Sequence, residues 1–153
     1  MTNVEHIWQN LKAIQYIETH TEYQYGGATG LLRGSITRTE IKPDILIFEE
    51  RGIWQNQTLS LNMRNCFQWQ LLHDDLTLSH LRFGPNHPVL LAKFMLNHNH
   101  QLFTTESPHH CAQDTYTAHL KVLNNGIIYL DWHITGPTKQ GLIHTIYSPA
   151  PTS

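Results

Sequence analysis

From Ala13 onward, apolar and polar side chains alternate with a period of two almost to the end of the chain, broken only by short clusters of Gly, Pro, Asn and Asp. Successive strand residues point to opposite faces, so this alternation marks half-buried β-strands and the clusters mark their turns. The expected strands are 13–22, 29–41, 44–54, 57–72, 76–83, 88–104, 109–123, 127–136 and 142–148. The clearest is 57–72, where Leu59, Leu61, Met63, Phe67, Trp69 and Leu71 share one face, and Ser60, Asn62, Arg64, Gln68 and Gln70 share the other. Connections such as Lys42-Pro43-Asp44, His73-Asp74-Asp75 and Asn124-Asn125-Gly126 are too short for a parallel crossover, so the sheet is expected to be an antiparallel meander. Eight to ten such strands leave two exposed edges unless the sheet closes. The expected fold is therefore mainly β: a single antiparallel up-and-down β-barrel with an N-terminal α-helix. A two-sheet sandwich is the alternative that alternation alone does not separate.

The helix is expected at about 3–12. Thr2-Asn3-Val4-Glu5 has the form of a capping box, and Val4, Ile7, Trp8, Leu11 and Ile14 recur at helical spacing as one apolar stripe. Such a stripe must lie on an open end or flank of the sheet. Pro149 and the small residues after it form an expected frayed tail at 149–153. At 153 residues the whole chain is expected to be one barrel domain, able to bury roughly two thirds of its unfolded surface without a staple.

Cys66 and Cys111 lie far apart with no CxxC spacing, and no charged-then-apolar signal segment opens the chain, which points to a reduced cytoplasmic setting. No apolar run approaches the ~18 residues of a membrane-spanning helix. A net charge of −2 with no basic block argues against nucleic acid as a partner. Twelve histidines are unusual, but they are scattered, with only His98/His100 and His109/His110 clustered, so they fit no ordinary zinc spacing. Many could charge together under mild acid. A haem would need an inward histidine, for which His80 and His110 are the candidates by strand parity, and a wide apolar slot. The expectation is no tightly bound cofactor and no metal.

Register can be argued for the C-terminal hairpin. Asn124-Asn125-Gly126 fits a three-residue loop closed by glycine in the left-handed region, which sets Leu123 opposite Ile127. Val122 then faces Ile128, Leu120 faces Leu130, Ala118 faces Trp132 and Tyr116 faces Ile134, apolar against apolar throughout. A two-residue loop would oppose Leu120 with Asp131, which the core face rejects. On this register Asp114 meets Gly136, and the segment His109 to Cys111 is expected beside Pro137 to Lys139. Asp114 and Tyr116 point inward with Leu120 and Val122. A buried carboxylate needs a partner: Asp114 either ties down the following loop through backbone amides or holds a ligand. Lys139 beside it is a solvated loop lysine or a rim cation for an anionic ligand. His109 and Cys111 share the opposite face, but no orienting third group or oxyanion hole accompanies them. Trp69 and Trp132 anchor the core or line a cavity.

The pattern His109-x-Cys111-x-x-Asp114-x-Tyr116, then Trp132-x-Ile134-x-Gly136-Pro137-x-Lys139 and the closing Tyr147, resembles a family of small bacterial proteins known as domain of unknown function 6314. The likeness covers about residues 67 to 148, including Phe67-x-Trp69, and is looser before that. It implies a barrel related in shape to lipocalins and fatty-acid-binding proteins, with no established activity and no catalytic residues to carry over. The chain departs from the family's usual composition in being rich in His, Asn and Gln where arginine is common.

The leading expectation is an uncharacterised small-molecule-binding barrel, its ligand in the interior or at the mouth. Trp69, Tyr116 and Trp132 would supply apolar wall and Arg82, Asp114 and Lys139 polar anchors. One alternative is an enzyme, a hydrolase, isomerase or lyase, with Asp114 or His109 as general base and Tyr116 as acid at the rim. Another is a structural or interaction protein whose barrel is filled by its own side chains.

Overall fold

The computed structural model of the chain describes residues 3–97, 102–105, 109–111 and 113–151, with side chains over 4–95 and 113–151. A helix, α1 (Asn3–Leu11), precedes eleven strands among the described residues. They are β1 (Tyr16–Tyr25), β2 (Gly30–Lys42), β3 (Ile45–Gln55), β4 (Ser60–Leu72), β5 (Asp75–His80), β6 (Val89–Asn97), β7 (Leu102–Thr105), β8 (His109–Cys111), β9 (Asp114–Val122), β10 (Ile128–Thr135) and β11 (Gln140–Ser148). All belong to one antiparallel sheet. From β1 to β7 each strand lies beside its predecessor, β11 returns to pair with β1, and β10 bridges β11 and β9. The ring closes through the short β7–β9 pairing of Phe103 with Leu120 and Thr104 with His119. The fold is a nearly closed barrel, not a sandwich, and no helix among the described residues is long and apolar enough to cross a membrane.

Two expected strands are corrected. The run 88–104 is two strands, β6 and β7, because the five residues Asn97-His98-Asn99-His100-Gln101 between their apolar stretches offer nothing to a core face. The run 109–123 is also two, since Cys111 pairs with Asp114 and His109 with Tyr116, which makes β8 and β9 a tight hairpin. The segment His109 to Cys111 therefore lies on the edge of β9 away from β10, and its expected place beside Pro137 to Lys139 is overturned.

The β9–β10 hairpin follows the register deduced from its turn. Leu123 N–H donates to Ile127 O at 2.8 Å, Gly126 N–H donates to Leu123 O at 3.1 Å, and Gly126 adopts φ +83°, where a side chain would be strained. Val122, Leu120, Ala118 and Tyr116 oppose Ile128, Leu130, Trp132 and Ile134.

Helix α1 buries Val4, Ile7, Trp8 and Leu11. Its stripe crosses the barrel end at the β2–β3 turn, where the Trp8 indole donates to Pro43 O at 3.2 Å. The proposed cap residue Thr2 lies outside the described residues. Leaving the helix, Ala13 N–H donates to Asn10 O at 3.1 Å and Ile14 N–H to Leu11 O at 3.3 Å, which delays the first strand; cross-strand bonding begins at Gln15, whose N–H donates to Ser148 O at 2.9 Å and whose carbonyl accepts from Ile36 N–H at 2.8 Å. Behind α1 the barrel is solid. Leu46, Phe48, Trp69, Leu76, Phe94, Leu120 and Ile128 are all less than 2% exposed except Leu46 at 2%. Trp69 meets Phe48 edge-on at 6.1 Å and stacks with Phe94 at 6.2 Å between ring centroids. Each such side chain contributes about 1.5–3 kcal/mol on burial, so the helix-covered half supplies most of the cohesion.

Candidate functional site

The other half of the barrel is not filled. Its inward positions carry Thr19, Thr21, Gly34, Gly52 and Thr145, where the solid half carries Trp, Phe and Leu, and the space they leave is a cavity of about 520 Å³. Its walls are apolar: Trp54, Phe67, Tyr116 and Trp132 supply aromatic faces, and Ile17, Leu32, Leu78, Leu91, Leu130 and Ile143 supply aliphatic ones. Thr19, Asn65, Thr145, Glu50 and Tyr147 add polar atoms. The Thr19 and Thr145 hydroxyls satisfy each other at 3.1 Å.

Glu50 is the unusual member. Along β3 the inward residues are Leu46, Phe48, Glu50, Gly52 and Trp54, so a carboxyl occupies a position that alternation reserves for the core. It is 5% exposed, opposite Ile36 on β2 and Asn65 on β4, and makes no hydrogen bond or ion pair with any described residue. Burial without compensation penalises the charged form, and its pKa is pushed from the ordinary 4.5 to about 8. At neutral pH it is mostly a neutral acid. Tyr147, buried against Phe48 and Trp69, is a titratable neighbour; burial, with the Glu50 charge added, drives that phenol well above its usual range. Glu49, one residue earlier, points outward and lies 3.6 Å from Arg64.

The mouth is assembled from β9, β10 and the loop before β11. Tyr116 and Trp132 meet edge-on at 6.4 Å, and Lys139 Nζ donates to the Tyr116 hydroxyl at 3.5 Å. Asp114 is 2% exposed and accepts from Thr138 N–H at 3.0 Å, from Lys139 N–H at 3.1 Å and from the Thr138 hydroxyl. That hydroxyl chiefly holds its carboxyl below the ordinary 3.8, against the opposing effect of burial, with the two amides and the Lys139 charge assisting. Glycine at 136 is required, because a Cβ there would collide with Asp114 Oδ1. The Tyr25 hydroxyl donates to Gly136 O, so the β1–β2 turn packs onto the same loop.

Tyr116 and Trp132 thus line the cavity, and Lys139 reaches its rim through Tyr116. Asp114 sits close by, but as the anchor of the 136–139 loop, with both oxygens occupied. Trp69 lies in the solid half and is absent from the cavity wall, because it shares the inward face of β4 with Phe67 but sits farther along the strand, among Phe48 and Phe94. Arg82 is exposed beyond the end of β5, its guanidinium 5.2 Å above the Phe83 ring, and does not reach the cavity. The side chains of His109, His110 and Cys111 lie outside those described. His80 is inward, stacked on Phe67 at 4.9 Å, with its pKa lowered by burial and by Arg82. Among the described residues no group of three His, Cys, Asp or Glu is placed to hold a metal. Sequence reasoning passed over Glu50, though its parity with Leu46, Phe48 and Trp54 was the available signal.

No curated protein and no solved structure matches the chain. Residues 8–149 match the model of a family described as of unknown function, DUF6314, and the chain belongs to that family.

Proposed function

We propose that the chain is a small-molecule-binding barrel whose ligand occupies the open half of the interior. The observation that carries this is the cavity of about 520 Å³ with almost wholly apolar walls. A barrel that served only as a scaffold gains from filling that space, since each unfilled methyl-sized void costs about 1 kcal/mol. Ligand pockets typically enclose ~300–1,000 Å³, with apolar walls and few polar groups, and this one fits that pattern. Tyr116 and Trp132 act as wall, and Lys139 holds the Tyr116 hydroxyl at the mouth. The enzyme alternative loses support at the rim, where both oxygens of Asp114 are engaged in holding the 136–139 loop. A cytoplasmic setting, in keeping with the unpaired thiol of Cys66, belongs to the same proposal.

The test uses Trp54 and Trp132 as reporters. Titration with 1-decanol should change tryptophan fluorescence saturably at one ligand per chain. Ile143→Trp, which fills the space between Thr21 and Trp132, should abolish that binding while leaving the fold intact by circular dichroism. Equal binding by the filled variant would place the ligand elsewhere and defeat the proposal.

A further inference from the structure

Given that the cavity binds a small molecule, we propose that its occupant is a lipophilic amine, seated with its ammonium group against Glu50 and its apolar body between Trp54, Phe67 and Trp132. Glu50 is the one carboxyl among the described lining residues, is only 5% exposed, and has no hydrogen-bond or ion-pair partner among the described residues. A polar group in that condition ordinarily costs stability without return. A ligand cation supplies the missing partner as a charge-assisted hydrogen bond, in surroundings where water screens little. The walls favour the same charge, because the faces of Trp and Tyr attract cations.

Competing head groups fare worse. Among the described residues no Lys, Arg or His lines the cavity, so an anionic head would meet an acid and no counter-charge. An alcohol gains one neutral hydrogen bond only. Among the described residues the groups facing Glu50 from neighbouring strands are Asn65 on β4, Ile36 on β2 and Tyr147 on β11, whose phenol stays neutral throughout the physiological range, while Cys66, on the other face of β4, is a thiol whose pKa burial, with the Glu49 and Glu50 charges, pushes up. Lys139, the cation nearest the mouth, is turned to the Tyr116 hydroxyl.

The proton balance makes the inference testable. In the empty protein near pH 6.5 the Glu50 carboxyl is protonated, and the ligand arrives as an ammonium ion. Forming the ion pair sends the carboxyl proton to solvent, one per ligand bound. Affinity should then rise toward tenfold per pH unit between roughly pH 6 and 8. Titration calorimetry at pH 6.5 with decylamine, 1-decanol and decanoate, each in two buffers of different ionisation enthalpy, reads both affinity and proton release. We expect decylamine to bind about tenfold or more tightly than decanol and to release about one proton. Glu50→Gln should remove both effects, bringing decylamine to about the affinity of decanol with no proton released, while circular dichroism shows that the variant is folded. Decanol or decanoate binding as tightly as decylamine, or amine binding without proton release, would overturn the amine assignment and leave cavity binding standing. No binding of any of the three would overturn both.

Discussion

Replacing Glu50 by Gln should make the protein more stable, and more so the higher the pH. The carboxyl titrates at about 8 in the folded chain against 4.5 when exposed. Between those values the unfolded state has lost the proton and the folded state keeps it, so the contribution of Glu50 to stability falls as pH rises, by about 1.36 kcal/mol per unit. It is unaffected below the unfolded pKa and fully lost above the folded one. Integrated from pH 5 to pH 7.5, the loss is about 3 kcal/mol, a large share of the ~5–15 kcal/mol that holds a domain of this kind. The amide of Gln has nearly the shape of the protonated acid and no such dependence. Every other titratable group is common to the two proteins, so the difference between them, rather than the wild-type curve alone, isolates the effect of Glu50. Urea unfolding of both at pH 5, 6.2 and 7.5 should show the variant's advantage growing by about 3 kcal/mol across the series. A difference that stays flat with pH would refute the reasoning, because Glu50 would then be as well solvated in the fold as in the unfolded chain.

Asp114→Asn should free the 136–139 loop: the Thr138 and Lys139 amides should exchange with solvent faster than in the wild type. In the wild type their protection should persist above the ordinary carboxyl range and be lost only as acid protonates Asp114 below 3.8, as its lowered pKa requires. Trp69→Ala should cost about 3–5 kcal/mol by denaturant unfolding, since it empties the solid half. Trp132→Ala should cost clearly less, because it merely widens a space already open, yet it should weaken decanol binding.

The sequence made the barrel legible because its signals are local and repeated. Period-two alternation needs no tertiary knowledge, and the Asn124-Asn125-Gly126 turn propagates one register choice through Leu120, Ala118 and Tyr116. The same logic faltered where a polar run interrupts an apolar one. Strands β6 and β7 read as one because no Gly or Pro separates them, although the pairing of Leu96 with Phe103 shows that the inward parity flips between them, and β8 reads as part of β9 because its hairpin carries no Gly or Pro either. The site was half legible. Tyr116 and Trp132 were placed by parity plus register, and both line the cavity. Trp69 was misplaced along the barrel axis, since parity tells inside from outside but not the filled end from the open one. Glu50 escaped because Glu49-Glu50-Arg51 reads as a solvated charge run, and only counting from Phe48 turns its second carboxyl inward.

The barrel is solid at the helix end and open at the other, and we propose that the open half takes a ligand. Methyl-labelled protein titrated with 1-decanol and followed by two-dimensional NMR tests it most directly. The methyls of Leu32, Leu78, Leu130 and Ile143 should shift saturably, with contacts to the alkyl chain, while those of Leu46, Leu76, Leu120 and Ile128 stay in place. Shifts confined to exposed methyls such as those of Leu59 and Leu90, or none at all, would contradict it.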